Sequence, residues 1–490
     1  MDEKKRNKRN LIMYPLGTVG RDMMYVLFNN FILLYVMYTR NLTNAQLGAI
    51  TAIMFGARIF DALNDPIMGN IIERTRTKWG KFKPWFLIGM LLSTVVVYLA
   101  YNTDLQGWNF IIFFGIIYFS YSITFTMNDI AFWGMVPALS SDGDTRNMFT
   151  SRATLFAGIG NTFANVMIPL LTTGALAIGG NAKTAYGRIA LIVGIIAPLF
   201  ACFTLFGVKE NRQDMETAAP PVSFKKIIGT IGHNDQLLLV AGVFLLQQVG
   251  QGLVTGGIGS NYIYFEFGYE GGLYSTFTTI GMLATAFLMV FYPTISRRIH
   301  RKQLATYLMG LAIVGYIVEL AAGLAMPATT IKFWILTIGF MVSNFGQYGM
   351  YLILMISIIN TVEYNEYKMG TRDEAIITSM RPFLTKFSSA LIVVFTSLTY
   401  MIFGVTNYTN KISDLETAAE QGTVTAAEKS SQIADVIASV TSGQTTGLLI
   451  MMTVVPCILF ILACTFYKKN YLLDEERYDE ICKELESRRG

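Results

Sequence analysis

The sequence predicts an all-α integral membrane protein: twelve transmembrane helices in two pseudo-symmetric bundles of six. Three observations predict it. Hydrophobic residues make up 53% of the chain and charged residues only 14%, against roughly 25% charged in soluble proteins, and the mean hydropathy is +0.45. Apolar runs of the ~20 residues needed to cross a hydrocarbon core recur from end to end. Basic residues alternate between the connecting segments. Of the 38 Lys and Arg, 28 fall in segments that an inside N-terminus places in the cytoplasm and six in external ones; the other four, Arg21, Arg58, Arg381 and Lys386, lie within spans. This asymmetry puts both termini inside and makes the chain a multi-pass protein of the cell (inner) membrane. The net charge of +5 follows from those loops and calls for no nucleic acid.

The first span, 11–39, follows Lys4-Lys-Arg-Asn-Lys-Arg9. A basic start before an apolar run resembles a secretory leader, but this run is too long, carries Arg21 and Asp22, and has no small-residue cleavage site. It reads as a helix that stays. Spans near 46–72, 84–102, 108–138, 149–179 and 188–208 complete an N-terminal bundle over 1–208. Residues 209–234, with Ala219-Pro-Pro-Val and Lys225-Lys226, are the longest polar interruption among the early spans and form a cytoplasmic middle loop. Spans near 235–267, 272–296, 303–326, 331–359, 374–405 and 444–467 make the C-terminal bundle, 235–467. Within it the external loop 406–443 is polar and is expected to be a short amphipathic helix or mobile. The tail, 468–490, is of mixed charge and cytoplasmic. Six plus six is the layout of the major facilitator fold, whose halves are related by a pseudo-two-fold axis. The four cysteines show no metal or disulfide spacing, and His233 and His300 fall in loops, which disfavours a histidine proton relay.

Charges at membrane depth mark the candidate site: Asp22, Asp61, Asp65 and Asp129, against Arg21, Arg58, Arg152 (at the mouth of the fifth span), Arg381 and Lys386. Each costs roughly 2.5–3.5 kcal/mol on an insertion scale and is a functional hypothesis by default. Positions 58, 61 and 65 share one helical face. Two ionised carboxylates there repel, so one holds a proton or a cation sits between them. Oxygen ligands suit a hard cation, with Asn64 and Thr126 as neutral donors; Na⁺, Li⁺ and H⁺ all fit. Asp129 and Trp133, spaced i, i+4, set a hydroxyl acceptor beside an aromatic plate, the pairing a sugar uses. Asp22 is a second acceptor.

These residues carry a resemblance. Asp61-Ala-Leu-Asn-Asp-Pro-Ile-Met-Gly69 and Thr75-Arg-Thr-Lys-Trp-Gly-Lys-Phe-Lys-Pro-Trp85 resemble the signature of the glycoside–pentoside–hexuronide:cation symporter family. Asp129-Ile-Ala-Phe-Trp133, Glu363-Tyr-Asn-Glu-Tyr-Lys368 and Lys386 extend the likeness to the eleventh span. The resemblance implies a symporter in which Asp61 and Asp65, assisted by Asn64 and Thr126, bind the coupling cation, Na⁺ first, with Li⁺ or H⁺ as alternatives. It implies that Asp22, Asp129, Trp133 and Arg152 hold a sugar and that Lys386 lies near both sites. Arg21 stands where the family's best-known member has lysine, Tyr351 where it has tryptophan, and Arg381 where it has an uncharged polar residue. All three are counted with the substrate site, and Arg381 points to an acidic sugar, since guanidinium pairs bidentately with carboxylate.

The expected partners are therefore a sugar or glycoside, a monovalent cation and the bilayer, with the protein monomeric and no cofactor besides the cation. A nucleotide-driven pump is disfavoured because Gly80-Lys81 lacks the P-loop pattern. An enzyme is disfavoured because Asp61 and Asp65 sit on one helix without a polar domain around them. A passive sugar facilitator or sensor on the same fold is the alternative.

Overall fold

A computed structural model describes residues 3–140, 142–209, 224–296 and 298–489. Its secondary structure is helical throughout apart from one isolated bridge between Thr77 and Gly80. The helices are α1 Glu3–Thr39, α2 Asn44–Arg74, α3 Lys83–Tyr101, α4 Gly107–Leu139, α5 Gly143–Thr172, α6 Ala182–Gly207, α7 Phe224–His233, α8 Asp235–Leu253 and α9 Gly259–Phe267. There follow α10 Gly271–Ser296, α11 Arg301–Ala325, α12 Thr330–Met369, α13 Glu374–Ile402, α14 Thr406–Glu420, α15 Ala426–Ala438, α16 Ser442–Asn470 and α17 Glu475–Arg489. Ten helices among the described residues are long and apolar enough to cross a membrane, and eleven if the bent α2 is one span. The remaining long helix, α1, is interrupted by Arg21, Asp22, Asn29 and Asn30.

The chain clusters into two units. The first comprises Met1–Pro221, Tyr269–Ser275 and Gly404–Ser439, the second Val222–Gly268, Thr276–Phe403 and Val440–Gly490. Inside the first, α1 packs on α5 and α6, and α3 on α4 and α6. Inside the second, the α8 span packs on α13 and α16, and α11 on α12 and α16. In span order these are the same pairings, and one crossing repeats almost atom for atom. A Cβ on Gly89 of α3 would meet Thr124 O at 2.8 Å and Asn128 N at 2.6 Å on α4; one on Gly315 of α11 would meet Gly339 O at 2.7 Å and Ser343 N at 2.3 Å on α12. Small residues at such crossings let backbones touch, which is how membrane helices gain packing when lipid supplies no hydrophobic drive.

Several boundaries differ from those expected. The span at 235–267 keeps its expected bounds but is two helices, α8 and α9, joined by a π-helical turn, Val254–Ile258, where Gly257 has φ 125°. A side chain is strained at that φ, and a Cβ would also lie 2.6 Å from the Tyr400 hydroxyl, which accepts a hydrogen bond from Asn261 at 2.7 Å. Helix α12 continues past the expected end at 359 to Met369, where Gly370 caps it in the left-handed conformation. Residues 210–223 of the middle loop, Ala219-Pro-Pro included, lie outside the described residues. The loop expected at 406–443 is a pair of helices, α14 and α15, and it clusters with the first unit. Residues Asn41 and Leu42, which follow α1, bond to Asp414 and Asn410 of α14. The tail is also helical, with Ile481 and Leu485 of α17 buried in the second unit's core.

Candidate functional site

Helix α2 bends by 42° between Asn44–Asp61 and Asn64–Arg74. Pro66 explains the bend: it lacks the N–H that would bond the carbonyl four residues earlier, and its ring crowds that carbonyl. The break separates the candidate cation ligands, with Asp61 ending one half and Asn64 and Asp65 opening the other. Asp61 is buried; one carboxylate oxygen accepts from the Ser122 hydroxyl on α4, and the other lies 3.5 Å from an Arg58 nitrogen. The Asp65 carboxylate accepts from the Thr126 hydroxyl at 3.1 Å. Asn64 is buried with its amide nitrogen unpartnered. Helices α2 and α4 thus bring Asp61, Asp65 and Thr126 to one seam, with Asn64 buried next to Asp65 in the chain and Arg58 already beside one acid. The second Arg58 nitrogen donates to Asn29 Oδ1 on α1, and Asn29 donates to the Tyr121 hydroxyl on α4 at 3.3 Å, tying three helices together.

The second cluster is built on Arg21. Its side chain is 4% exposed, and its guanidinium takes Asp22 Oδ2 through Nε at 3.1 Å and a terminal nitrogen at 2.9 Å. The other terminal nitrogen donates to Asp129 Oδ1 at 3.0 Å. The guanidinium also lies over the Phe132 ring at 4.8 Å and the Trp133 ring at 5.5 Å. So Asp22 and Asp129 are not two independent acceptors, as expected from sequence, but two arms of one clamp. One oxygen of each takes the arginine, and neither second oxygen accepts a hydrogen bond from the described residues. That leaves two acceptors beside an aromatic face, which suits adjacent hydroxyls.

Arg152 on α5 is exposed, and one of its nitrogens donates to Leu11 O on α1 at 3.3 Å. In the second unit, Arg381 of α13 donates to the Tyr351 hydroxyl of α12 at 3.1 Å. Two of the three departures from the family pattern are therefore hydrogen-bonded to each other. Lys386 lies half-buried on α13. Sequence reasoning missed Ser122 and Asn29, although Ser122 is one turn before Thr126 and Asn29 two turns after Asp22. It also missed an acid at depth in the second unit, Glu319, which is fully buried.

The family model for MFS/sugar transport proteins matches residues 13–475. The lactose permease of Lactobacillus helveticus is 24% identical, across all of this chain and 74% of that protein. The raffinose carrier protein of Pediococcus pentosaceus is 26% identical over 97% of this chain and 71% of that one. Among solved structures, a bacterial homologue of the human lysosomal transporter Spinster, in an inward-facing and unoccupied conformation, superposes with a TM-score of 0.62. It is 13% identical and covers 95% of this chain and 98% of its own, a likeness of fold alone.

Proposed function

Because the chain belongs to the MFS/sugar transport protein family, and so is a membrane transporter and not an enzyme, we propose that it is a secondary symporter. It couples inward movement of a monovalent cation, Na⁺ first, to uptake of a sugar, glycoside or hexuronide by alternating access. The observation that carries this reading is the broken α2, which sets Asp61 and Asp65 against Ser122 and Thr126. A cation at that seam offsets the mutual repulsion of two carboxylates set one turn apart on one helix. Occupancy by the cation then favours the sugar-binding state, and linkage requires the sugar to raise cation affinity by the same factor. Each cation carried inward gains about 2.3 kcal/mol per 100 mV of membrane potential. The Arg21 clamp holds the sugar hydroxyls, and both termini face the cytoplasm of the cell whose inner membrane it occupies.

Vesicles with imposed Na⁺, Li⁺ or H⁺ gradients and a panel of labelled glycosides, pentosides and hexuronides test this. At least one gradient should drive accumulation, and Asp65→Asn should raise the cation concentration for half-maximal uptake by about tenfold, ~1.4 kcal/mol. Uptake that no gradient drives identifies a passive facilitator instead.

Arg381 favours an acidic sugar within that class. Its Tyr351 partner orients a guanidinium that a uronate carboxylate can pair with. Arg381→Ala should therefore slow a hexuronide relative to a neutral glycoside by about tenfold or more, since a hydrogen bond to a charged group contributes about 1.5–3 kcal/mol. Equal effects on the two substrates rule the assignment out.

A further inference from the structure

The α11–α12 crossing of the second unit carries a carboxyl where its counterpart in the first carries a hydroxyl. Ser93 lies four residues after Gly89 and donates to the Thr124 hydroxyl at 3.0 Å. Glu319 lies four residues after Gly315, and the residue answering to Thr124 is Gly339. A Cβ at Gly339 would sit 2.6 Å from Glu319 Cγ, so the glycine makes the room that the longer side chain fills. Ser343 donates to Glu319 Oε1 at 2.7 Å; Oε2 is buried without a partner, and the residue is 0% exposed. This is a fitted acid, not a stray one.

Among the described residues, no positive charge acts on it. The titratable groups its charge reaches are Tyr316 on its own helix, Tyr262 on α9 and Cys457 on α16; α12 supplies the neutral Ser343. Glu266, beyond Tyr262, is held by Lys332. An ionised carboxylate with one neutral hydrogen bond and no cation is far costlier to bury than a carboxylic acid, so the group takes a proton instead. The same burial keeps water from that proton.

We propose that Glu319 is a proton-binding site in the second unit, distinct from the α2–α4 acids: it holds a proton while the α11–α12 crossing is closed and releases it when that crossing opens to water. The proton adds to the unpartnered Oε2, and its release to water restores the carboxylate. The transport cycle this enters rests on the symport reading; the protonation does not.

Two measurements on the purified full-length chain in lipid nanodiscs test it. Infrared spectra at neutral pH should show a protonated-carboxyl stretch that shifts in D₂O and is lost in Glu319→Gln, which mimics the neutral acid. In proteoliposomes, uptake by the wild type should fall at alkaline pH, and Glu319→Gln should lose that fall while keeping transport at neutral pH. If Glu319→Gln does not accumulate, Glu319→Asp should keep a protonated-carboxyl band at a shifted frequency that carbon-13 labelling of glutamate, which moves the wild-type band, leaves in place. A spectrum without that band overturns the site even if sugar is transported. A band with unchanged pH profiles overturns proton release in the cycle. Absence of any sugar uptake leaves the infrared result standing and counts against the symport reading alone.

Discussion

Arg21→Met should destabilise the first unit by about 3 kcal/mol and reduce uptake by at least about tenfold, because it leaves two acids facing each other without their shared cation. The stability figure is set at the low end of the usual range for breaking a buried pair because the Asp129 side chain is 40% exposed, so water screens part of the repulsion. Two controls separate charge from geometry. Arg21→Lys keeps the charge but not the planar fork that reaches Asp22 twice and Asp129 once, so it should recover most of the stability and less of the transport. Arg21→Met combined with Asp129→Asn removes the repulsion and should recover stability without transport. Thermal unfolding in detergent and uptake in vesicles read the two quantities separately. An Arg21→Met protein that melts with the wild type would show the clamp to be incidental.

That clamp also marks the limit of what the sequence discloses. Helical spacing could group Asp61 with Asp65 and Asp129 with Trp133, because periodicity within one helix is a local property. The same reasoning could not see that Arg21 reaches across 108 positions to Asp129, since partner choice between helices depends on packing. Charge counting behaved likewise. It set Arg40, Lys332 and Lys429 among external residues, yet each is buried. The Arg40 side chain donates to Thr39 O at 2.7 Å and Thr103 O at 2.6 Å, serving as a cation at the C-terminal end of α1, where the helix dipole favours one. Lys332 binds Glu266. Glu319 escaped notice because a lone acid in an apolar run has no spacing partner; only the matching of the two crossings shows the glycine that accommodates it. The pairing order of the spans is repeated in the two units, whereas the sequence repeat is faint, because the crossings demand residue size more than residue identity.

The helix pair α14–α15 gives the second large effect. Sequence composition left it between an amphipathic helix and a mobile loop, because its apolar side is narrow and its anchor is ionic. Glu416 and Lys429 form a pair at 3.1 Å with side chains 1% and 4% exposed. Glu416 accepts from Ala182 N at 2.7 Å, at the start of α6, and Lys429 donates to Gly180 O at 2.7 Å. Lys429→Met should therefore strand a buried carboxylate and weaken docking of the pair by about 3–5 kcal/mol, loosening the already exposed turn 421–425 so that protease can cut it. Its pH dependence identifies the cause. Burial holds the Glu416 carboxyl above its usual range against the opposing pull of Lys429. A carboxyl raised in the docked state favours docking while protonated, so that contribution is complete below its ordinary value of about 4.3 and lost as pH rises through the raised one. With Lys429 gone only the Ala182 N–H still favours the charged carboxylate against burial, and the variant should resist protease in acid and be cut at neutral pH. Lys429→Met with Glu416→Leu removes both charges and should resist at either pH, as apolar replacements of buried pairs do. If the single variant is cut no faster than the wild type at neutral pH, the anchor is the Asn41–Asp414 and Leu42–Asn410 contacts, and the buried pair contributes packing alone.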